Sequence, residues 1–421
     1  MPTTVATPND LKKLETRIAA LESRVTALES VPPPVPPPVP PPVPPPVPPP
    51  PSDTVLFDPT VHLKQSGVWS LPYIVGESTT AWAAGLLALR RVGGELQFVG
   101  GSGGSDLFAY RLKPDGSTEV VATLGQSVYM GRRKPEKNVN GLFVPHNSQD
   151  VLYWVGDQGY DTADGGDTIA FRTRFKPGTW EPEDILDMPN PPGSNNLQTR
   201  GGFAQLPNGT VVRGLGGYYS IIEKGSYGPC LVGQDGTVYL RYSVDHRCPR
   251  PNDYHMSDEL DAIYGSPNDG DGGWMGRDGG TWTCADEIGG ETRSAGCVIL
   301  DGIVSGFRGT LFNCQQGTGR IGYDSGSITN SGGLKSRLYV YDTAELLAVS
   351  RGERQEWSPV ARCYDLPAPQ YTPTQGDYQP SPLASGMAID PVTGKLYVVW
   401  VGANPVGREF APILVEYTIT R

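Results

Sequence analysis

The sequence predicts a mainly β head carried behind a short helix and a proline rod. Three observations lead there. First, the 421 residues change composition near residue 52: residues 1–51 hold no Gly, aromatic residue or Cys, and all 54 Gly, 20 Tyr and 8 Trp follow. Second, Leu11, Leu14, Ile18, Leu21, Val25 and Leu28 recur at alternating spacings of three and four residues. Third, beyond Ser52, short runs rich in Val, Tyr, Phe and Leu alternate with Gly, Asp, Asn and Pro turns, the texture of successive strands.

The apolar spacing near the N-terminus is a heptad seam, with Leu11, Ile18 and Val25 at a and Leu14, Leu21 and Leu28 at d. Thr7-Pro8-Asn9-Asp10 supplies a cap, a proline suited to the first helical position and an acidic residue for the positive helix end. Pro32 falls where the next a residue belongs; it lacks an amide donor and pushes Val31 into an extended form, so the helix ends there. Ile or Val at a with Leu at d favours a dimer. RIAALE (Arg17–Glu22) and RVTALE (Arg24–Glu29), however, resemble the trimer motif of short parallel coiled coils. That resemblance implies a parallel trimer, with Arg17 and Arg24 covering the core and pairing with Glu22 and Glu29 of neighbouring helices; the dimer is the alternative. Helices this short are marginal alone, so association or docking must support them.

VPPP then repeats five times from Val31, with one further Pro51. Polyproline II at ~3.1 Å per residue makes this a rod of about 65 Å. A four-residue repeat on a three-residue turn rotates successive valines by ~120°, so they form no sticky stripe. The PxxP pattern lacks the flanking basic residue usual in SH3 ligands, and a spacer is the better reading. The expected organisation is a docking peptide at 1–8, a coiled coil at 9–30, a polyproline stalk at 31–52 and a head at 53–421.

The head's runs fall into sets of four. GLLALRRV, ELQFVGG, DLFAYRLKPDG and EVVATL form the first. NGLFVPH, DVLYWVGD, DTIAFRTRF and DILDMP form the second. GGFAQL, GTVVRGL, GPCLVGQDG and TVYLRYS form the third, and SAGCVIL, GIVSGFRGTLFNC, SRLYVYD and WSPVARCYDL the fourth. A fifth set, SGMAID, GKLYVVWVG and APILVEYTI, lacks a strand, which TVLFDPTVHL at the start of the head is expected to supply. Such repeated sets resemble β-propeller blades, five in number with six as the alternative. "AIDPVTGKLYVVW" is similar to an inner-strand hairpin of that architecture. Asp245–Glu291 is then a long insertion, and DTAELLAVSRG one or two helical turns. A pair of β-sandwiches is the alternative fold.

Charge narrows the partners. Net charge is −11, and the N-terminal helix is balanced, so the acidity belongs to the head. This opposes binding to nucleic acid or to an anionic membrane surface. No apolar run reaches the ~18 residues of a membrane span, and MPTTVATPNDLKK lacks the basic and apolar regions of a signal peptide. Six cysteines at long, irregular gaps fit neither zinc spacing nor a small disulfide framework; buried thiols are expected, with one or two disulfides as the alternative.

Candidate site residues are few. Trp274, Trp282 and Tyr254 share the insertion with Asp269 and Asp271, the aromatic faces and acceptors that sugar binding needs, and Tyr218 and Tyr219 follow a Gly-rich strand end. Asp161, Asp164 and Asp167 in DQGYDTADGGD offer oxygen ligands for Ca2+, although Asp is also an ordinary turn former and the loop is no EF-hand. No other cofactor is expected. Asp157, Asp286, Glu287 and Asp301 are carboxylates able to reach a propeller axis, but no spacing selects a catalytic pair. GGSGG (Gly100–Gly104) matches a nucleophile elbow only as text, because another strand follows it.

The layout of terminal peptide, coil with RIAALE and RVTALE, stalk and Gly-rich β head resembles virion fibre proteins of tailed bacteriophages: tail fibres, minor tail proteins and head fibres. That resemblance implies a self-trimer on a virion, docked on structural proteins through the N-terminus and meeting a host-surface glycan or receptor through the head, with no catalysis required. A particle-borne polysaccharide depolymerase and a bacterial surface adhesin are the alternatives.

Overall fold

Alternating apolar residues separated by polar turns fold into five antiparallel meanders. The computed structural model describes residues 53–75, 78–80, 86–101, 107–124, 138–157, 169–188, 202–215, 229–241, 292–317, 322–324, 327–329, 334–356, 358–373, 382–406 and 409–421. The docking peptide, heptad segment and proline stalk lie outside the described residues.

The first elements are β1 (Val55–Leu56), helix α1 (Pro59–His62), β2 (Leu63–Ser70), β3 (Ile74–Val75) and β4 (Ser78–Thr79). Blade I comprises β5 (Ala88–Val92), β6 (Glu95–Gly101), β7 (Leu107–Leu112) and β8 (Thr118–Leu124). Blade II comprises β9 (Asn138–Phe143), β10 (Val151–Asp157), β11 (Ile169–Phe175) and β12 (Pro182–Met188). Blade III comprises β13 (Phe203–Gln205), β14 (Val211–Leu215), β15 (Cys230–Gly233) and β16 (Val238–Arg241). Next come β17 (Thr292–Ile299), β18 (Phe307–Arg308), β19 (Thr310–Gly317), β20 (Gly322–Asp324), β21 (Ser327–Thr329), β22 (Leu334–Tyr341), α2 (Thr343–Ser350) and β23 (Arg362–Asp365); blade IV runs β17-β19-β22-β23. Blade V runs β24 (Leu383–Ile389), β25 (Leu396–Val406) and β26 (Glu409–Ile419), with β2 as its outer strand.

The first strand of each blade touches the first strand of the next. β5 packs near β9, β9 near β13, β13 near β17, β17 near β24, and β24 returns to β5. The head is a five-bladed β-propeller. The expected blade sets match the five sheets, and the six-blade and sandwich alternatives fall away.

The closing strand lies further along the chain than expected. In TVLFDPTVHL, the Asp58 side chain accepts from the Thr60 amide (2.9 Å) and Pro59 takes the first helical position, so this stretch turns into α1. Val55–Leu56 instead pairs in parallel with Phe307–Arg308. The strand that closes the ring is the next segment, antiparallel to β26 from Leu63 opposite Ile419 to Ser70 opposite Ile413.

Two glycines follow directly from backbone demands. Gly93 and Gly94 both have positive φ (59° and 88°) and make the two-residue hairpin between β5 and β6. At Gly296, a Cβ would lie 2.7 Å from the Met387 amide nitrogen, so its missing side chain lets β17 and β24 approach at the axis.

Apolar side chains fill the joints between blades. Leu142, Trp154 and Phe171 of blade II pack with Ala88, Val99 and Leu107 of blade I. A fully buried charge also sits in that joint. Arg90 pairs with Asp150 (2.7 Å), donates from Nε to the Gln149 carbonyl (2.6 Å) and bonds the Thr179 carbonyl. Its guanidinium lies 4.7 Å and 4.4 Å from the ring centres of Phe175 and Trp180. Burial lowers its pKa and the Asp150 carboxylate opposes that shift, so the ion survives burial only with its fork filled.

Candidate functional site

An antiparallel meander sorts its connections between two edges. The turns joining first to second and third to fourth strands leave from one edge, here called lower. Those joining second to third strands, and one blade to the next, leave from the other, the upper edge. The lower connections in sequence are 93–94, 113–117, 144–150, 176–181, 206–210, 234–237, 300–309, 342–361 and 390–395. The upper ones are 71–87, 102–106, 125–137, 158–168, 189–202, 216–229, 242–291, 318–333, 366–382 and 407–408.

Lower turns largely satisfy themselves. Asp115 accepts from the Ser117 amide (2.9 Å), Asn208 from Thr210 (3.0 Å), Asp235 from Thr237 (2.9 Å) and Asp390 from Val392 (3.1 Å). Each is the side-chain turn that Asp and Asn favour. The expected hairpin AIDPVTGKLYVVW is one of them, with Asp390 between β24 and β25.

The chain enters the propeller at this lower edge. Arg421 donates to the Asp53 carbonyl, Arg308 donates to the Thr54 carbonyl (2.6 Å), and the Val55 amide donates to Gly306 (3.0 Å). Two cations and a short parallel ladder therefore fix the chain where β2 begins, opposite the upper edge.

Trp274, Trp282, Tyr254, Asp269 and Asp271 lie outside the described residues, as do Tyr218, Tyr219, Asp161, Asp164, Asp167, Asp286 and Glu287. In sequence they belong to three upper connections: 158–168 after β10, 216–229 after β14 and 242–291 after β16. The seam residues Leu11, Leu14, Arg17, Ile18, Leu21, Glu22, Arg24, Val25, Leu28 and Glu29 are also outside the described residues. Among the described residues no group of three or more His, Cys, Asp or Glu is arranged to hold a metal, and no helix is long and apolar enough to cross a membrane.

Asp301 does not line the axial cleft. It follows β17 at the lower edge, where its carboxylate accepts from the Gly309 amide (2.8 Å) and the Thr343 hydroxyl (2.6 Å). Burial raises its pKa and those two bonds work against the rise. Its chemistry is spent on joining the 300–309 turn to α2. Asp157 ends β10 at the upper edge.

All five first strands border a cleft near the lower end of the axis. Leu89, Leu142, Ile299 and Met387 give it apolar walls, and His146 and Gln149 give it polar ones. Desolvation pulls the His146 pKa down to about 4, against a weaker pull from Asp390, so the imidazole is neutral at pH 7. Asp390 itself pairs with Arg91 (2.7 Å). Sequence reasoning passed over His146 because nothing around it in sequence marks the axis; the His follows β9 by three residues and reaches the axis only through ring closure.

Cys230, Cys297 and Cys314 are buried and Cys363 partly buried, while Cys248 and Cys284 lie outside the described residues. Gly100 and Gly101 end β6, whose neighbour is β7, so a strand follows GGSGG as expected.

No family model and no curated protein matches the chain. Solved structures similar to it include an N-acetylgalactosamine deacetylase from F. plautii in complex with blood group B trisaccharide (8% identity, 85% of this chain and 95% of that one, TM-score 0.45). Another is a glucose dehydrogenase (11% identity, 84% and 98%, TM-score 0.34). A third was described with mannoside phosphorylases and glycoside hydrolases that target β-1,2-mannosidic linkages in Candida mannan (7% identity, 80% and 84%, TM-score 0.37). Likenesses this distant carry no argument about chemistry.

Proposed function

We propose that this chain is a virion fibre protein of the tailed-bacteriophage kind, which self-associates as a trimer and presents a carbohydrate-engaging propeller. The observation that carries the reading is the head's polarity. The chain is tethered at the lower edge through Arg308, Arg421 and β1, and the longest connection in sequence, 242–291, leaves from the upper edge. A rigid ring with variable connections on one edge is a common way to build a binding face. Residues 9–30 would gather three chains and residues 31–52 would hold the heads away from the particle. The first eight residues would dock on virion structural proteins.

Trp274, Trp282, Tyr254, Asp269 and Asp271 would serve that face, because in sequence they lie between β16 and β17, with Tyr218 and Tyr219 between β14 and β15. Indole faces stack on sugar C–H faces and carboxylates accept sugar hydroxyls. The acidic head favours neutral or cationic glycans. Ca2+ held by Asp161, Asp164 and Asp167 belongs to the same proposal, as a brace for the 158–168 connection. Three weak sites on one fibre gain avidity if the stalks let them engage together.

The test is binding of the full chain to host-surface polysaccharide, with Trp274→Ala and Trp282→Ala alongside, and analysis of the mixture for released oligosaccharide. Weakened binding in the folded variants supports the site. Released oligosaccharide would move the same head into the class of polysaccharide-cleaving enzymes. Unchanged binding in both variants would remove these tryptophans from the site.

A further inference from the structure

A cluster of hydroxyl and carboxylate groups stands on the described part of the upper edge. β26 begins there with Glu409, opposite Val406 at the end of β25. The segment after β2 crosses the same edge and folds into the β3–β4 hairpin, with Ile74 opposite Thr79. Buried Thr80 pins that segment, donating from its hydroxyl to the Pro72 carbonyl (2.6 Å) and from its amide to the Tyr73 carbonyl (2.8 Å). Val75 anchors the hairpin in the apolar cluster of Leu71, Leu89 and Phe98.

These two pieces meet at one carboxylate oxygen. The Tyr73 hydroxyl donates to Glu409 Oε2, and the Thr79 hydroxyl lies 3.5 Å from the same atom. The bond to Glu409 raises the phenol pKa, so Tyr73 stays a donor. Glu409 Oε1 has no partner and the carboxylate no ion pair among the described residues. Beside it, Ile74 is 60% exposed and Val406 is 37% exposed.

We infer that Tyr73, Thr79 and Glu409 form a subsite for a neutral sugar, with Glu409 Oε1 accepting a ligand hydroxyl. The inference rests on the carbohydrate reading above and assigns it residues of its own. An ionised carboxylate is acceptor-only, so the ligand must bring donors. The Tyr73 hydroxyl holds the carboxylate's orientation before the ligand arrives, which reduces the cost of ordering a free side chain. Exposed Ile74 and Val406 offer apolar surface to the sugar's C–H face. A sulfated or phosphorylated sugar would meet a carboxylate with no ion pair among the described residues and is disfavoured.

The experiment is saturation-transfer NMR on the full chain with methyl α-mannoside, methyl β-galactoside and methyl N-acetyl-β-glucosaminide. Wild type, Glu409→Ala, Tyr73→Phe and Trp274→Ala/Trp282→Ala are compared after a melting check. At least one glycoside should bind wild type, and Glu409→Ala should weaken it about tenfold, the loss of one charge-assisted bond. Tyr73→Phe, which keeps the ring and frees the carboxylate, should weaken it by a smaller factor, and it carries the test if Glu409→Ala does not fold. Binding that survives unchanged in both variants but falls in the tryptophan variant overturns this subsite and leaves the carbohydrate reading standing. No binding of any glycoside to wild type overturns both.

Discussion

Leu63, the first residue of β2, lies opposite Ile419, near the end of β26. Residues from the two ends of the head therefore form one ladder, and blade V is complete only when both are present. Removing residues 1–52 leaves every described strand intact. Removing residues 1–70 strips the outer strand and bares the edge of β26. The chain 53–421 is expected to melt in one transition by circular dichroism. The chain 71–421 should aggregate or lose that transition. An unchanged melting curve for 71–421 would show that β2 adds nothing to ring closure.

The heptad seam makes a separate prediction about mass. Sedimentation of the full chain should give three copies, and the 53–421 chain should be a monomer. Replacing Arg17 and Arg24 together by Ala should shift the assembly toward dimer, because those residues carry the resemblance to the trimer motif while a and d residues alone favour two strands. A full-length dimer would contradict it.

Arg90 has no solvent to fall back on. Arg90→Ala leaves Asp150 and the Gln149 and Thr179 carbonyls without their guanidinium partner and empties the space against the rings of Phe175 and Trp180. A loss of about 2–4 kcal/mol in denaturant unfolding is expected; Asp150 is 35% exposed and can partly rehydrate, which keeps the cost below that of a fully buried orphan. Arg90→Lys should recover little, since an ammonium cannot reproduce the planar fork. A variant within about 0.5 kcal/mol of wild type would argue that the joint repacks freely.

His146 links stability to pH. Its folded pKa is pushed down to about 4 from a usual 6.5 by desolvation. Between those values the unfolded chain takes up a proton that the folded chain refuses, so this group's contribution is full above pH 6.5 and is lost as pH falls toward 4. The limit is about 3 kcal/mol, reduced by partial solvent access. His146→Gln should flatten the decline of stability between pH 6.5 and 4, measured by urea unfolding at several pH values. Equal slopes in the two proteins would mean that folding does not change how readily His146 takes up a proton.

Much of this architecture was legible because each strand is marked locally. Turn residues such as Gly93-Gly94, Asn208 and Asp235 bracket the runs, and the sets of four could be counted. The misplaced closing strand had a local cause too: TVLFDPTVHL alternates well enough for a strand, but Asp58-Pro59 is a helix start, and that signal outweighs the alternation. The axial residues were not legible. His146, Gln149 and Asp390 come together only when β5, β9 and β24 share a ring, and no spacing along the chain encodes that. The same holds for Tyr73 and Glu409, whose bond spans a separation of 336 residues.

The head's polarity can be measured by covering one edge at a time. Val392 in a lower turn is 69% exposed and Ile74 at the upper edge is 60% exposed. Val392→Cys and Ile74→Cys, each labelled with biotin–maleimide and loaded with streptavidin, place the same bulk on opposite edges. Binding to host cells should survive the block at Val392 and be lost with the block at Ile74. Loss of binding from the Val392 block alone would put the receptor face on the tethered edge and contradict the account.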